Sequence, residues 1–165
     1  MIINSKDLFM IKTNALRIIE SAKVPFTVRV YDISDGEISG VAVAVKIGQE
    51  PERVFKTLVT EGKATGLNVF VIPSNVELDL KKAALATGDK YVELVKSREL
   101  EAKTGYVHGG CSPVGMKKQF PTFIDETAQL HDTIFVSGGK IGIQVELSPA
   151  DLAKLTNAVF FDLFT

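Results

Sequence analysis

Leu8, Ile11, Ala15, Ile18, Ile19 and Ala22 recur at steps of three and four, which predicts an amphipathic helix over Lys6–Lys23. Asn4 or Ser5 can cap its start and Pro25 enforces its end. Phe26–Tyr31 then alternates apolar and polar with period two and reads as a strand. Gly40–Val45 carries strand-favouring valines, yet Gly48 behind it could close a short helix, and the local pattern leaves both open. Arg53–Thr60 and Leu67–Ile72 are the next strands, joined by turn formers around Gly62. Leu78, Leu80, Ala83, Ala84 and Leu85 form the apolar side of a helix over Glu77–Ala86 that Gly88 ends. Tyr91–Val95 reads as a short strand, and Arg98–Lys103 as one or two helical turns before Gly105.

Residues 105–118 form a loop punctuated by glycine and proline, and Thr133–Val136 and Ile141–Glu146 make a hairpin across Ser137–Lys140. Ser148, Pro149 and Asp151 supply the cap, first turn and early acid of a last helix. Strands and helices do not alternate long enough for a doubly wound sheet. Several antiparallel pairs with helices beside them predict the α+β class.

Composition sets the scale of this pattern. At 165 residues, 45% hydrophobic and 24% charged, the chain fits one domain over residues 1–165 with a sizeable core. Its longest apolar run, Val41–Val45, is far short of the roughly 20 residues of a spanning helix, and no membrane partner is expected. The N-terminus shows no secretion signal and Cys111 has no second cysteine to pair with, so a cytoplasmic, reducing location is expected.

A net charge of −1 argues against a protein that grips long duplexes, and no DNA partner is expected. Charge is uneven, however. Residues 81–118 carry 8 Lys+Arg against 4 Asp+Glu, and residues 119–165 carry 2 against 6. The basic stretch either faces a small anion or nucleic-acid end, or is a solvated lysine face.

Candidate chemistry is sparse. There is no Gly-x-x-x-x-Gly-Lys-Ser/Thr loop, and His108 and His131 lack partners at zinc-ligand spacing, so neither metal nor cofactor is expected. Cys111, three residues from His108 in an open loop, is a weak nucleophile candidate. Lys56 is more informative. It alternates with Val54 and Leu58, so its ammonium either snorkels off an edge strand or points into a pocket, where it can hold a phosphate or polarise a carbonyl. The glycines of the 105–118 loop would let backbone N–H groups approach a ligand.

In this order, several stretches resemble the YbaK/EbsC family of aminoacyl-tRNA deacylases, which is related to the editing domain of prolyl-tRNA synthetases. They are Lys12-Thr13-Asn14-Ala15, Tyr31-Asp32, Val54–Val59, Leu78–Ala84, Thr104–Lys118 with its Gly-Gly-x-Ser-Pro core, and Val136–Lys140 with Ser-Gly-Gly. The resemblance implies a mixed, mostly antiparallel, barrel-like sheet flanked by helices, and it places Val41–Val45 in a helix. It implies a cleft for the 3′ aminoacyl end of a charged tRNA, with Lys56 as the central catalytic residue. Tyr31, Thr57, Gly109, Gly110, Ser137, Gly138 and Gln144 match substrate-binding positions. Gln144 stands where many relatives have aspartate, and Ser39 stands where an aromatic is frequent. Both departures bear on the amino-acid pocket.

The activity so implied is trans-editing, most directly removal of Cys from Cys-tRNA(Pro). The chemistry is substrate-assisted and formally a lyase reaction if the substrate thiol cyclises, otherwise a hydrolysis. Prolyl-tRNA synthetase is the implied protein partner. The alternative is a non-catalytic aminoacyl-tRNA-binding or regulatory protein, the older description of the EbsC branch.

Overall fold

The computed structural model describes residues 1–3, 7 and 11–165. Its elements in chain order are α1 (Asn14–Ser21), β1 (Phe26–Val30), α2 (Gly40–Ile47), β2 (Phe55–Gly62), β3 (Gly66–Pro73), α3 (Leu80–Thr87), β4 (Val92–Leu94), α4 (Ser97–Thr104), β5 (Thr122–Asp125), β6 (Ile134–Ser137), β7 (Ile143–Leu147), α5 (Pro149–Thr156) and β8 (Val159–Phe161). Short 3-10 turns cover Pro51–Arg53 and Glu126–Leu130.

The strands form a three-stranded sheet of order β1-β7-β6 and a five-stranded sheet of order β4-β2-β3-β5-β8. Pairing is antiparallel in β1–β7, β6–β7, β2–β3 and β2–β4, and parallel in β3–β5 and β5–β8. The two sheets meet at a parallel bridge between Val54 and Phe135, without closing into one continuous barrel. The α+β architecture of mixed, mostly antiparallel sheets flanked by helices is as expected.

Some features differ from the sequence reading, and the run whose local pattern left strand or helix open takes the helical form that the resemblance implies. Residues 11–13 are not helical, so the expected Lys6–Lys23 helix is not continuous; α1 starts at Asn14, where the Thr13 hydroxyl accepts from Leu16 N (3.0 Å) and caps it. The expected caps Asn4 and Ser5, and Leu8, lie outside the described residues. Gly40–Ile47 is a helix, capped by the Ser39 hydroxyl at one end and by left-handed Gly48 at the other; paired caps outweigh the β preference of its valines. Strands β5 and β8 were not anticipated. Each is three or four residues long and pairs in parallel on the far side of β3, where no alternation marks it.

The main core lies between the sheets. It joins Phe55, Val59, Val69 and Val71 of one sheet to Val28, Val136, Val145 and Leu147 of the other, with Ala15, Leu16 and Ile19 of α1 and Leu152 of α5 against them. The opposite face of β3 packs Phe70 and Ile72 on α3, with Phe70 stacked on Phe123 at 5.3 Å. A smaller cluster seats α2 through Val43, Ala44 and Ile47 on Tyr31, Val54 and Phe135, directly where the sheets meet. Among the described residues, no helix is long and apolar enough to cross a membrane.

Candidate active site

β2 is flanked by β3 along its whole length, but β4 pairs with it only from Thr60 to Gly62. At its other end Val54 is bridged to Phe135, and Val95 N donates to Val59 O (2.9 Å). Lys56, Thr57 and Leu58 therefore have a strand neighbour on one side only among the described residues. An interior strand thus acquires a short local edge, and a cleft of ≈ 140 Å³ opens beside it.

Three other segments complete the cleft. Tyr31 follows β1; Ser39, Gly40 and Val43 belong to the start of α2; His108, Gly109 and Cys111 come from the glycine loop. Ser137 and Gln144, which face each other across the β6–β7 register, close it. The cleft thus brings together Lys56, Tyr31, Thr57, Gly109, Ser137 and Gln144. Gly110 and Gly138 are not among the lining residues.

Those two glycines hold the wall from behind. A Cβ on Gly110 would lie 2.8 Å from the backbone N of Ile141, so only glycine lets the loop press against the β6–β7 hairpin. Gly138 is packed as closely on Ile143, and its carbonyl accepts from the Thr13 hydroxyl at 2.5 Å. Asn14 Nδ2 donates to Gly115 O (2.7 Å) and the Tyr106 hydroxyl to Val114 O (2.7 Å). Gly109 adopts φ +87° where it turns toward Ile38, a conformation that glycine takes without steric cost.

Three polar atoms of the lining lack partners. The Tyr31 hydroxyl, Thr57 Oγ1 and Gln144 Oε1 are buried with no hydrogen bond. Tyr31 is 7% and Gln144 6% exposed, so water cannot compensate them freely. Lys56 is half-buried, and no hydrogen bond or ion pair joins its ammonium to a described residue. The site therefore offers one positive charge beside three unsatisfied polar atoms of neutral side chains.

The loop thiol behaves differently. Burial pushes Cys111 up to about 12, so it stays protonated at neutral pH and is a poor nucleophile. His108 is exposed at the mouth, and His131 lies outside the lining. Among the described residues, no three His, Cys, Asp or Glu side chains gather as a metal site. The apolar lining residues Ile38, Val43 and Leu100 carried no signal in the sequence, because each also fits a plain core position.

On the same strands, two residues beyond Gln144, lies a satisfied counterpart. Glu146 accepts from Thr27 Oγ1 (2.9 Å), Arg29 Nη2 (3.0 Å) and Thr133 Oγ1 (2.6 Å), and Arg53 stands 3.5 Å away. Burial opposes its charge, but the Thr133 and Thr27 hydroxyls and Arg29 hold its carboxyl below the usual range. Both guanidinium groups lie 5.3 Å from the centre of the Phe135 ring.

Comparison with known proteins gives this cleft a context. The aminoacyl-tRNA editing domain family matches residues 39–155. The protein named "Putative Cys-tRNA(Pro)/Cys-tRNA(Cys) deacylase EbsC" of Enterococcus faecalis is 51% identical over 154 residues, covering 93% of this chain and 94% of its own. Two crystal structures share the fold. One, of a "putative trans-editing enzyme for prolyl tRNA synthetase", superposes with a TM-score of 0.81 at 24% identity, over 94% of this chain and 99% of its own. The other, of a hypothetical protein, gives 0.84 at 22% identity, over 93% and 100%. With the match spanning the cleft from Ser39 through Lys56 to Gln144, the chain belongs to the aminoacyl-tRNA editing domain family.

Proposed function

We propose that residues 1–165 act as one trans-editing aminoacyl-tRNA deacylase, with Lys56 as the central catalytic residue and Cys-tRNA(Pro) as the first substrate. The observation that carries this reading is the unpaired, half-buried Lys56 ammonium beside the partnerless Tyr31, Thr57 and Gln144 atoms, in a chain of the editing family. The Enterococcus faecalis relative bears the name of a Cys-tRNA(Pro)/Cys-tRNA(Cys) deacylase, which points to the cysteinyl ester.

The substrate is an ester between an amino acid and the terminal ribose, already activated for acyl transfer. No protein nucleophile is needed, in keeping with the protonated Cys111. The cysteinyl sulfur attacks its own carbonyl carbon, giving its thiol proton to solvent water, which later returns a proton to the departing ribose oxygen; the C–S bond forms while the carbonyl oxygen gains negative charge. Lys56 stabilises that oxygen, and the Gly109 segment of the loop lies alongside to donate from its backbone. Collapse breaks the ester C–O bond, the ribose oxygen takes up a proton, and a thiolactone leaves. For an amino acid without a thiol, water or the vicinal ribose hydroxyl takes the sulfur's place. Thr57, Tyr31, Ser137 and Gln144 position the aminoacyl group.

A net charge of −1 fits contact with the short acceptor end, and selection among whole tRNAs then falls to a partner such as prolyl-tRNA synthetase. Release of labelled amino acid from Cys-tRNA(Pro), Pro-tRNA(Pro) and Ala-tRNA(Pro) tests the reading, with Lys56→Ala as control. Lysine-dependent loss from Cys-tRNA(Pro) alone is the expected result. A gel shift with charged tRNA but no release from any of the three would refute catalysis. The partner is tested separately by pull-down, where absence of a ternary complex with synthetase and tRNA rejects it.

A further inference from the structure

A single lysine of α2 bonds to three oxygens of one segment of the cleft wall. Tyr31 and Ile38 both line the cleft, yet residues 32–37 between them form neither helix nor strand and are exposed throughout. Short-range turns shape this segment: Asp32 Oδ1 accepts from Ser34 N (3.1 Å) and Asp35 Oδ1 from Glu37 N (3.0 Å). Such turns fix its local curvature, and its start is anchored where Tyr31 N donates to Gly142 O (3.0 Å) and Ile33 lies beside Gly142.

Lys46, in the last turn of α2, ties the segment down. Its ammonium donates to Asp32 O (2.7 Å), Asp35 Oδ1 (2.7 Å) and Glu37 O (2.9 Å), which uses all three of its hydrogens. It also stands 5.9 Å from the centre of the Tyr31 ring, and the side chain is 18% exposed although the helix surface around it is open. Val45, its neighbour, is 75% exposed and has no such role. The hydrogen bond from Lys46 holds the Asp35 carboxyl below its ordinary value, so the tie is intact at neutral pH.

We propose that Lys46 is a positioning residue for the cleft: by clamping residues 32–37 it holds Tyr31 and Ile38 as one wall against Gly109 and Gln144. A cation placed at the C-terminal end of α2 also gains from the helix dipole, but that alone would not call for two backbone carbonyls from a neighbouring loop. The geometry is that of a compact ammonium chelated by three oxygens of one segment. The catalytic consequence rests on the deacylase reading above, whereas the clamp itself does not.

The experiment has two arms. Hydrogen exchange of the free protein is compared for wild type, Lys46→Met, Lys46→Arg and the control Val45→Ala. Lys46→Met is expected to speed exchange in residues 31–39 while leaving β2, β3 and the thermal midpoint near wild type; Lys46→Arg recovers part of the protection. Unchanged exchange in residues 31–39 overturns the clamp, and so does acceleration spread evenly over the whole chain. In the second arm, deacylation by Lys46→Met should show kcat/KM lower by about five- to tenfold, carried mainly by KM, with partial rescue in Lys46→Arg. Unchanged kcat/KM in the presence of faster exchange overturns the positioning role. If wild type itself releases no amino acid, the deacylase reading fails, and affinity for a non-hydrolysable aminoacyl-adenosine analogue replaces turnover in the same comparison.

Discussion

Gln144 and Glu146 sit two residues apart on one face of β7, and their surroundings could hardly differ more. Glu146 faces Thr27 and Phe135 across its two strand neighbours and is held by two hydroxyls and a guanidinium, with a second guanidinium close by. Gln144 faces Arg29 and Ser137, and its Oε1 is buried without a partner. The same holds along β2, where Arg53 just before the strand is bonded to Gln49 and Thr133 while Lys56 within it is unpaired. In one half of this face the carboxylate is satisfied by the protein itself, although Arg29 Nε is left without a partner. The other half is polar, buried and incomplete, as a surface is when its remaining partner is a substrate.

Breaking the incomplete half should cost function, and breaking the finished half should cost stability. On the proposed mechanism, Lys56→Ala has the largest effect: a loss of ~10²–10³ in deacylation rate, with the thermal midpoint unchanged. Single-turnover kinetics beside calorimetry checks both parts. Glu146→Gln comes next and reverses the pattern. Loss of its charge-assisted bonds should remove about 2 kcal/mol, with turnover per folded molecule retained.

The pH dependence sharpens that test. Because the folded Glu146 carboxyl titrates below its unfolded value of 4.5, its contribution is present above that pH and lost as pH falls through the lowered folded value. The difference between wild type and Glu146→Gln, followed by urea unfolding from pH 7 downward, should therefore shrink below pH 4.5. Thr57→Val has a smaller effect. Removing a partnerless buried hydroxyl should leave stability equal or raised by up to about 1 kcal/mol, while KM rises several-fold. Cys111→Ala is the smallest, with turnover within about twofold of wild type, since a thiol titrating near 12 supplies no thiolate at neutral pH.

Much of this contrast could be read in the chain, and the missing part has a physical cause. Phe26–Val30, the β2–β3 pair and the β6–β7 hairpin announce themselves by alternation, and Ser148 with Pro149 fixes the start of α5. Thr122–Asp125 does not, because all four residues are buried and no polar face is left to mark a period. The expected helix over Lys6–Lys23 is interrupted at residues 11–13 although its apolar spacing continues through Ile11, because the Thr13 hydroxyl bond that starts α1 at Asn14 depends on geometry. Within the site, Lys56, Thr57, Tyr31, Gly109, Ser137 and Gln144 were legible as motif positions. Their lack of partners was not. The open side of β2 at Lys56–Leu58 was not legible either, because it depends on β4 pairing no further than Thr60, a fact about strand length elsewhere in the sheet. Gly110 and Gly138 carried the right motif but serve the packing of loop on hairpin, which spacing alone does not distinguish from ligand contact.

The pairing order also bears on how the chain is made. β1 at Phe26 waits for Leu147, and the parallel edge of the larger sheet waits for Val159–Phe161 to cover β5. Leu163 N then donates to the buried Asp125 carboxylate (3.0 Å), and Asp79 N donates back to Leu163 O (2.8 Å). During synthesis from the N-terminus, the smaller sheet cannot be completed until Ile143–Leu147 has left the ribosome, nor the larger until Val159–Phe161 has. A nascent chain that stalls before β8 carries the bare β5 edge, with Phe123 and Ile124 beside it, and is at that moment a template for aggregation.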